Sequence, residues 1–258
     1  MPSPLILLPP SEGKAEGGTG PAWSPGTMAI NLDRQRTRVI RSLSAAMRAN
    51  TASRAKLLGV KGVALAAATE ADRSIRTAPT LPAIERYTGV LYTELDHATL
   101  SAAARSRLAT AAVIVSGLWG LVVPTDPVPD YKLKMGASLG PLGRLSTWWR
   151  APLSEQLVTL AAGRPVWNLL PNEHDAALRA PGLLQRSVTF FEPGPTGELV
   201  AVAHWNKLLK GALVRHLVEH PDATPSDLAD WHHPQGFRLD PARQVVDGDR
   251  VRLAFVRE

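Results

Sequence analysis

The sequence predicts a mixed α/β (α+β) fold: a single domain over residues 1–258, with a central mixed sheet flanked by helices and a basic, helix-hairpin-helix-like insertion at 31–75. Three observations predict it. Short β-branched runs, each closed by Gly, Pro, Asn or Asp, alternate with helix-like stretches along the whole chain. No long Pro/Gly/Ser linker divides the 258 residues, a length that can bury one sizeable core. Eight basic residues and one acid fall between positions 31 and 62, so that segment carries +7 of a net +6 and leaves −1 across the other 226 positions.

Taken in order, Leu5 to Leu8 is too short and lacks the basic flank of a secretory signal, and it reads as a strand. Glu16 to Thr27 reads as a surface loop. A helix follows from about 31 to 50, with Asn31 or Asp33 as its cap. At 100° per residue it gathers Leu32, Val39, Ile40, Leu43 and Met47 on one face and Arg34, Arg38, Arg41 and Arg48 on the other. Arg36 alone breaks that pattern. Further helices are expected over 62–72, 98–109, 145–162, 205–220 and 225–231, and further strands over Val113 to Val115, Val166 to Leu170, Val188 to Phe191, Leu199 to Ala203 and Val251 to Val256. Pro124 to Pro129 reads as a structured turn. Trp119, Trp148, Trp149 and Trp167 sit in apolar context and read as core, whereas Trp205, beside Asn206 and Lys207, suits stacking on a base.

Between the first two helical stretches lies KLLGVKGVALA, Lys56 to Ala66. An apolar helix end, Gly59-x-x-Gly62 and a second helix have the shape of a helix-hairpin-helix turn. Glycines permit the tight turn, and the exposed N–H groups at the next helix start attract a phosphate that Lys56 and Lys61 would flank. Such a contact reads the nucleic-acid backbone and not the bases. An ordinary helix connection with glycine at its C-cap has the same sequence.

The composition excludes several classes of function. No apolar run reaches the roughly 18 residues needed to cross a bilayer, so no membrane association is expected. With no cysteine there is no disulfide framework, no thiolate nucleophile and no Cys-ligated metal, which points to the cytoplasm. The pair His216 and His220 lies in HLVEH, which lacks the HExxH arrangement, and no resident metal or cofactor is expected. Walker A, dinucleotide GxGxxG and G-x-S-x-G patterns are also absent.

Three expected strands end in polar or glycine-rich segments: Leu8 runs into PPSEGK, Val115 into SGLWG, and Asn168 into LLPNE. If those strands are parallel neighbours, the loops converge on one pocket, because ligands in open α/β sheets collect at the carboxyl ends of strands. There Glu12 or Glu173 would serve as general base, Lys14 would hold a phosphate or carboxylate, and Ser11 or Ser116 would donate to an oxyanion, with Asn168 beside them. Lys207, Lys210 and Arg215 on the helix near 205–220 form a second basic surface.

The segment VSGLWGLVVPTDPVPDYKLKMG, Val115 to Gly136, resembles the signature stretch of the YaaA peroxide-stress protein family, LSGLYGxLxPxDxxxPYRLEMG. The match takes in Ser116, Gly117, Leu118, Gly120, Pro124, Asp126, Tyr131, Leu133, Met135 and Gly136. Similar correspondences run from the LLPPSEGK start through Tyr87 to Tyr92, Trp149, Asn168-Leu169 with Glu173, and Lys207, Lys210-Gly211 and Arg215, to Gly236-Phe237 with Asp240, covering about residues 3 to 257. The resemblance implies a cytoplasmic bacterial protein with a single mixed α/β fold, a role in limiting oxidative, iron-dependent damage to DNA, and DNA binding without strong sequence preference. There are departures. PPSEGK replaces SPAKT, Lys132 and Lys134 replace Arg and Glu, and Trp119 and Trp205 replace Tyr; Lys134 cannot supply the acid/base or metal role that a Glu would.

Two functions therefore stand side by side. In one, Arg34, Arg38, Arg41, Arg48, Lys56, Gly59, Lys61 and Gly62, with Lys207, Lys210 and Arg215, hold double-stranded or junction DNA by its backbone. In the other, an enzyme acts on a nucleotide or another anionic small molecule through Ser11, Glu12, Lys14, Ser116, Asn168 and Glu173. Direct iron binding through His and Glu residues is a third option.

Overall fold

A computed structural model describes residues 3–202 and 206–257. In chain order the elements are β1 (Leu5–Leu8), α1 (Asp33–Ala46), α2 (Thr51–Leu58), α3 (Gly62–Arg73), β2 (Leu81–Pro82), α4 (Ala83–Arg86), α5 (Val90–Leu95), α6 (Ala102–Ala111), β3 (Ala112–Ser116), β4 (Gly120–Val122) and β5 (Pro127–Val128). They continue with α7 (Leu145–Trp148), α8 (Arg150–Ala161), β6 (Val166–Asn168), α9 (Asn172–Asp175), β7 (Gln185–Pro193), β8 (Leu199–Ala201), α10 (Asn206–Glu219), β9 (Phe237–Leu239), β10 (Val245–Asp247) and β11 (Arg250–Arg257).

The expected mixed α/β architecture is what forms. Among the described residues the main sheet has nine strands in the order β10-β11-β7-β6-β1-β3-β4, with β8 on β7 and β9 on β11. Its centre is parallel: β3, β1, β6, β7 and β11 all run the same way. The strands β4, β8, β9 and β10 pair antiparallel around it. β1 explains its own sequence, since a strand covered on both faces and paired on both edges has no place for a polar residue, and Leu5 to Leu8 are all buried. From β1 the chain passes to β3 on one side and later to β6 on the other. The carboxyl end of β1 is therefore a topological switch point, where a crevice opens in such sheets.

The apolar face of α1 is buried as patterned: Leu32, Val39, Ile40, Leu43 and Met47 lie in the core, while Arg34, Arg38, Arg41 and Arg48 are exposed. Neither Asn31 nor Asp33 caps this helix. Leu32 holds the cap position, and the Asp33 carboxylate accepts from Gly26 N–H at 2.6 Å and from Arg36 at 3.2 Å. Arg36, the residue that broke the pattern, is fully buried. Its guanidinium donates to the carbonyls of Trp119 (3.0 Å), Ile30 (2.7 Å) and Leu121 (2.9 Å), pinning α1 to β4.

Several boundaries shift for local reasons. β6 stops at Asn168, two residues short of the expected strand, because the Asn168 side chain accepts from Leu170 N–H (3.2 Å) and turns the backbone. α6 starts at Ala102, where Ser101 caps it through Ala104 N–H (3.2 Å). The helix expected at 145–162 is two helices meeting at Trp149. The helix expected at 225–231 is a single 3-10 turn at Asp227–Ala229: the Asp227 carboxylate takes the Thr224 N–H (2.7 Å) and hydroxyl (2.8 Å), and the segment is too short to outweigh that turn. Ala203, the end of the expected strand at 199–203, and Trp205 lie outside the described residues. Trp119, Trp149 and Trp167 are fully buried and Trp148 partly so, packing as core. No helix among the described residues is long and apolar enough to cross a membrane.

Candidate functional site

Because β1 lies between β3 and β6 and parallel to both, the three loops named from the sequence leave the sheet at the same edge. A cavity of about 200 Å³ opens there, lined by Ser11, Glu12, Lys14, Tyr131, Lys132, Lys134, Glu173 and Lys207 among others. Two neighbouring hollows of about 280 and 470 Å³ share Pro9 and Lys207 with it, so the three form one cleft around the end of β1.

Each predicted residue has a definite place in or near this cleft. Glu12 pairs with Lys132 (3.0 Å) and Lys134 (3.5 Å), and the Lys132 hydrogen bond is the first reason its carboxyl sits below the usual range. Ser11 Oγ donates to the Gly13 carbonyl and accepts from Thr88 N–H (3.1 Å), shaping the loop. Glu173 accepts from Gly136 N–H across the cavity. Ser116 is fully buried beneath it: its Oγ is 2.8 Å from the Tyr131 hydroxyl and accepts from the N–H groups of Leu118 (3.2 Å) and Trp119 (3.1 Å). Asn168 lines the adjoining groove and donates to Asp175 (2.6 Å) and Gln185 (3.0 Å).

Lys14 is the most unusual of these. Its Nζ lies 4.3 Å from the centre of the Tyr131 ring and reaches the carbonyls of Ser11 (3.4 Å) and Glu12 (3.5 Å). Among the described residues no carboxylate lies within ion-pair distance of it. Burial lowers the ammonium to about 8, although Asp130 pulls the other way.

Sequence reasoning missed three members of this cluster. Asp72, on the hairpin helix α3, is fully buried; its Oδ1 accepts from Lys132 N–H (2.8 Å), its Oδ2 has no partner, and burial raises its carboxyl to about 8. One of two acids in the last turn of an alanine-rich helix gives no signal in sequence. Tyr87 and Tyr131 join hydroxyls at 2.9 Å under Lys14, and burial raises both phenols. Tyr131 stood in the signature stretch, but as a match and not as a site residue. His174, also on the cavity wall, is held neutral by burial down to about 4.

The second basic surface divides. Lys207 is exposed and borders all three hollows. Lys210 is partly buried, donates to the Leu169 carbonyl (3.1 Å), and is lowered by burial to about 8. It shares the 470 Å³ groove with Arg250 and Arg252. Arg215 is committed elsewhere: it donates to the carbonyls of Leu95 (3.1 Å) and Asp96 (3.2 Å) and to Thr99 Oγ1 (2.9 Å), and pairs with Glu219, tying α10 to the end of α5.

The basic segment presents a different kind of surface. α2 and α3 form a hairpin with Gly59 in the left-handed region (φ 69°) as the C-cap of α2 and Lys61 as the N-cap of α3. Gly62 follows at φ 57° with open space where a side chain would stand. Lys56, Lys61, Arg34, Arg38, Arg41 and Arg48 are exposed, and among the described residues none has an acidic partner. A Cβ at Gly59 would lie 3.5 Å from Lys134 Nζ, so the hairpin turn borders the cleft. On the opposite end of α10, His216 stacks on Trp231 (4.6 Å) and lies 4.5 Å from His220, but no group of three or more His, Asp or Glu among the described residues is arranged to hold a metal ion.

A profile described as Peroxide stress protein YaaA matches residues 5–243. The chain is 35% identical over 241 residues to a UPF0246 protein of Streptomyces coelicolor, covering 92% of each. It is 34% identical over 220 residues to one of Corynebacterium glutamicum (83% and 84% covered) and 33% identical over 261 residues to one of Corynebacterium efficiens (98% and 99%).

Proposed function

The chain belongs to the peroxide stress protein YaaA family, and on that premise we propose that it acts in peroxide stress by holding duplex or junction DNA through the phosphate backbone and limiting iron-dependent damage there. The observation that carries this reading is the uncompensated charge of the hairpin region. Six exposed cations, Arg34, Arg38, Arg41, Arg48, Lys56 and Lys61, lie on α1, the α1–α2 connection, α2 and the hairpin turn with no acidic partner among the described residues. Arg36, the cation of α1 that lies off that face, is withdrawn into the core, where it holds backbone carbonyls. The turn at Gly59 to Gly62 supports the same reading, because backbone N–H groups at the start of α3 can donate to a phosphate where Gly62 leaves open space. Contacts of this kind neutralise phosphates and release counterions, so binding is salt-sensitive and indifferent to base sequence.

The test is a titration of labelled duplex between about 50 and 200 mM salt. Six neutralised phosphates give a slope of log K against log salt of roughly −5. The double variant Lys56→Glu with Lys61→Glu is expected to bind at least about tenfold more weakly at the lower salt, with an unchanged circular dichroism spectrum and with DNA no longer protected from nicking by iron and peroxide. Affinity that ignores salt, or a double variant that binds like the parent, would refute the reading.

A further inference from the structure

The cleft at the end of β1 holds a primary amine in a setting that structural lysines avoid. A lysine that serves packing or solubility ends in a carboxylate or in water. Lys14 is partly buried at the cavity wall with no carboxylate within ion-pair distance among the described residues: its Nζ rests 4.3 Å from the Tyr131 ring centre and reaches two backbone carbonyls. Asp72 lies outside the cavity lining but acts electrostatically on Lys14, and its Oδ2 is buried with no hydrogen-bond partner among the described residues. At the mouth, the single Glu12 carboxylate is shared by Lys132 and Lys134, whereas Lys207 borders the cavity as a cation with no acidic partner among the described residues. An amine and an anchoring cation thus line one small cavity at the switch point of the sheet, with a buried carboxyl group close to the amine.

We propose that Lys14 is a nucleophile that forms a Schiff base with the carbonyl carbon of a phosphorylated aldehyde or ketone, with Asp72 as the proton donor and Lys207 as the phosphate anchor. The Lys14 nitrogen lone pair attacks the carbonyl carbon, the C–N bond forms, and the displaced π pair on oxygen takes the Asp72 proton. The ammonium proton of the adduct returns to Asp72. Asp72 then protonates the hydroxyl, the C–O bond breaks with loss of water, and the nitrogen lone pair closes the C=N bond. The sum is amine, carboxylic acid and carbonyl giving iminium, carboxylate and water, with no oxidant or reductant. Burial assists both partners. An ammonium lowered to about 8 is about one-tenth neutral at pH 7, against roughly one part in three thousand for an ordinary lysine, and a carboxyl raised to about 8 still carries its proton. The substrate chemistry has two sources, a free sugar phosphate or the aldehyde of an abasic site flanked by phosphates in DNA.

The experiment treats the full chain with cyanoborohydride and either 2-deoxyribose 5-phosphate or an abasic-site duplex, then reads intact mass and maps the modified peptide. One adduct on Lys14 of the unmodified chain is expected, lost in Lys14→Arg and formed at least about tenfold more slowly in Asp72→Asn. Lys207→Ala is expected to raise the half-saturating concentration of the sugar phosphate without changing that of 2-deoxyribose. Preferential labelling by the duplex assigns the source to DNA, and preferential labelling by the sugar phosphate to a small molecule. Adducts spread over surface lysines, or no adduct with either probe, would overturn the proposal, and the mapping on unmodified chain decides this even if a variant fails to fold.

Discussion

Arg36 and Asp72 are single charges that the fold has taken out of water, and they behave differently because only one is fully partnered. Arg36 satisfies three backbone carbonyls and Asp33, so its replacement strands those acceptors in a dry interior. Arg36→Met is expected to cost about 3 kcal/mol in urea unfolding; a loss under about 1 kcal/mol would mean that water replaces it. Asp72 keeps its proton up to about 8 in the fold, with Lys14, Lys132 and Asp130 as the charged groups around it, whereas an unfolded aspartate releases it near 4. The folded chain therefore binds the extra proton between those values, and the stability Asp72 contributes declines as pH rises through that window. The melting temperature of Asp72→Asn relative to the parent is expected to climb from pH 5 to pH 9, and parallel curves would contradict the burial argument. Neither residue was legible in sequence. Arg36 showed only as a break in a helical face, and Asp72 as one more charge on a helix, since burial is a property of neighbours distant in the chain.

Among the elements, α10 against α5 is the packing that places Lys207 and Lys210 over the cleft. Gly211 permits it, because a Cβ there would run into the Leu91 carbonyl oxygen and come within 2.8 Å of the Glu94 Cβ. Gly211→Ala is expected to cost about 2 kcal/mol by overpacking, read as a lower urea midpoint, and to displace the lysines from the groove. An unchanged midpoint would show that α10 can slide. The hairpin was more legible, since Gly59 and Gly62 at that spacing specify a turn through conformations that other residues resist. Helix and strand ends were less so. Asn168, Ser101 and Asp227 each moved a boundary with a side-chain hydrogen bond that periodicity does not register.

For the whole molecule, the two features on which the proposals rest arise in different ways. The +7 segment was visible from the sequence because charge is counted along the chain, and a contiguous helical hairpin keeps its charges together when it folds. The cleft was visible only in parts. PPSEGK, SGLWG and LLPNE announced polar loops at strand ends, but their convergence required β1 to pair in parallel with both β3 and β6, over separations of about one hundred residues or more. Local propensity carries no record of such pairing. The sequence by itself determined the fold class, the basic hairpin and the family resemblance, all of which depend on composition, spacing and short-range pattern. The tertiary structure alone decided that Ser116 lies beneath the cavity, that Arg215 is committed to α5, and that Asp72 joins Lys14, because desolvation and hydrogen-bond partners are set by residues that meet only after the chain has folded.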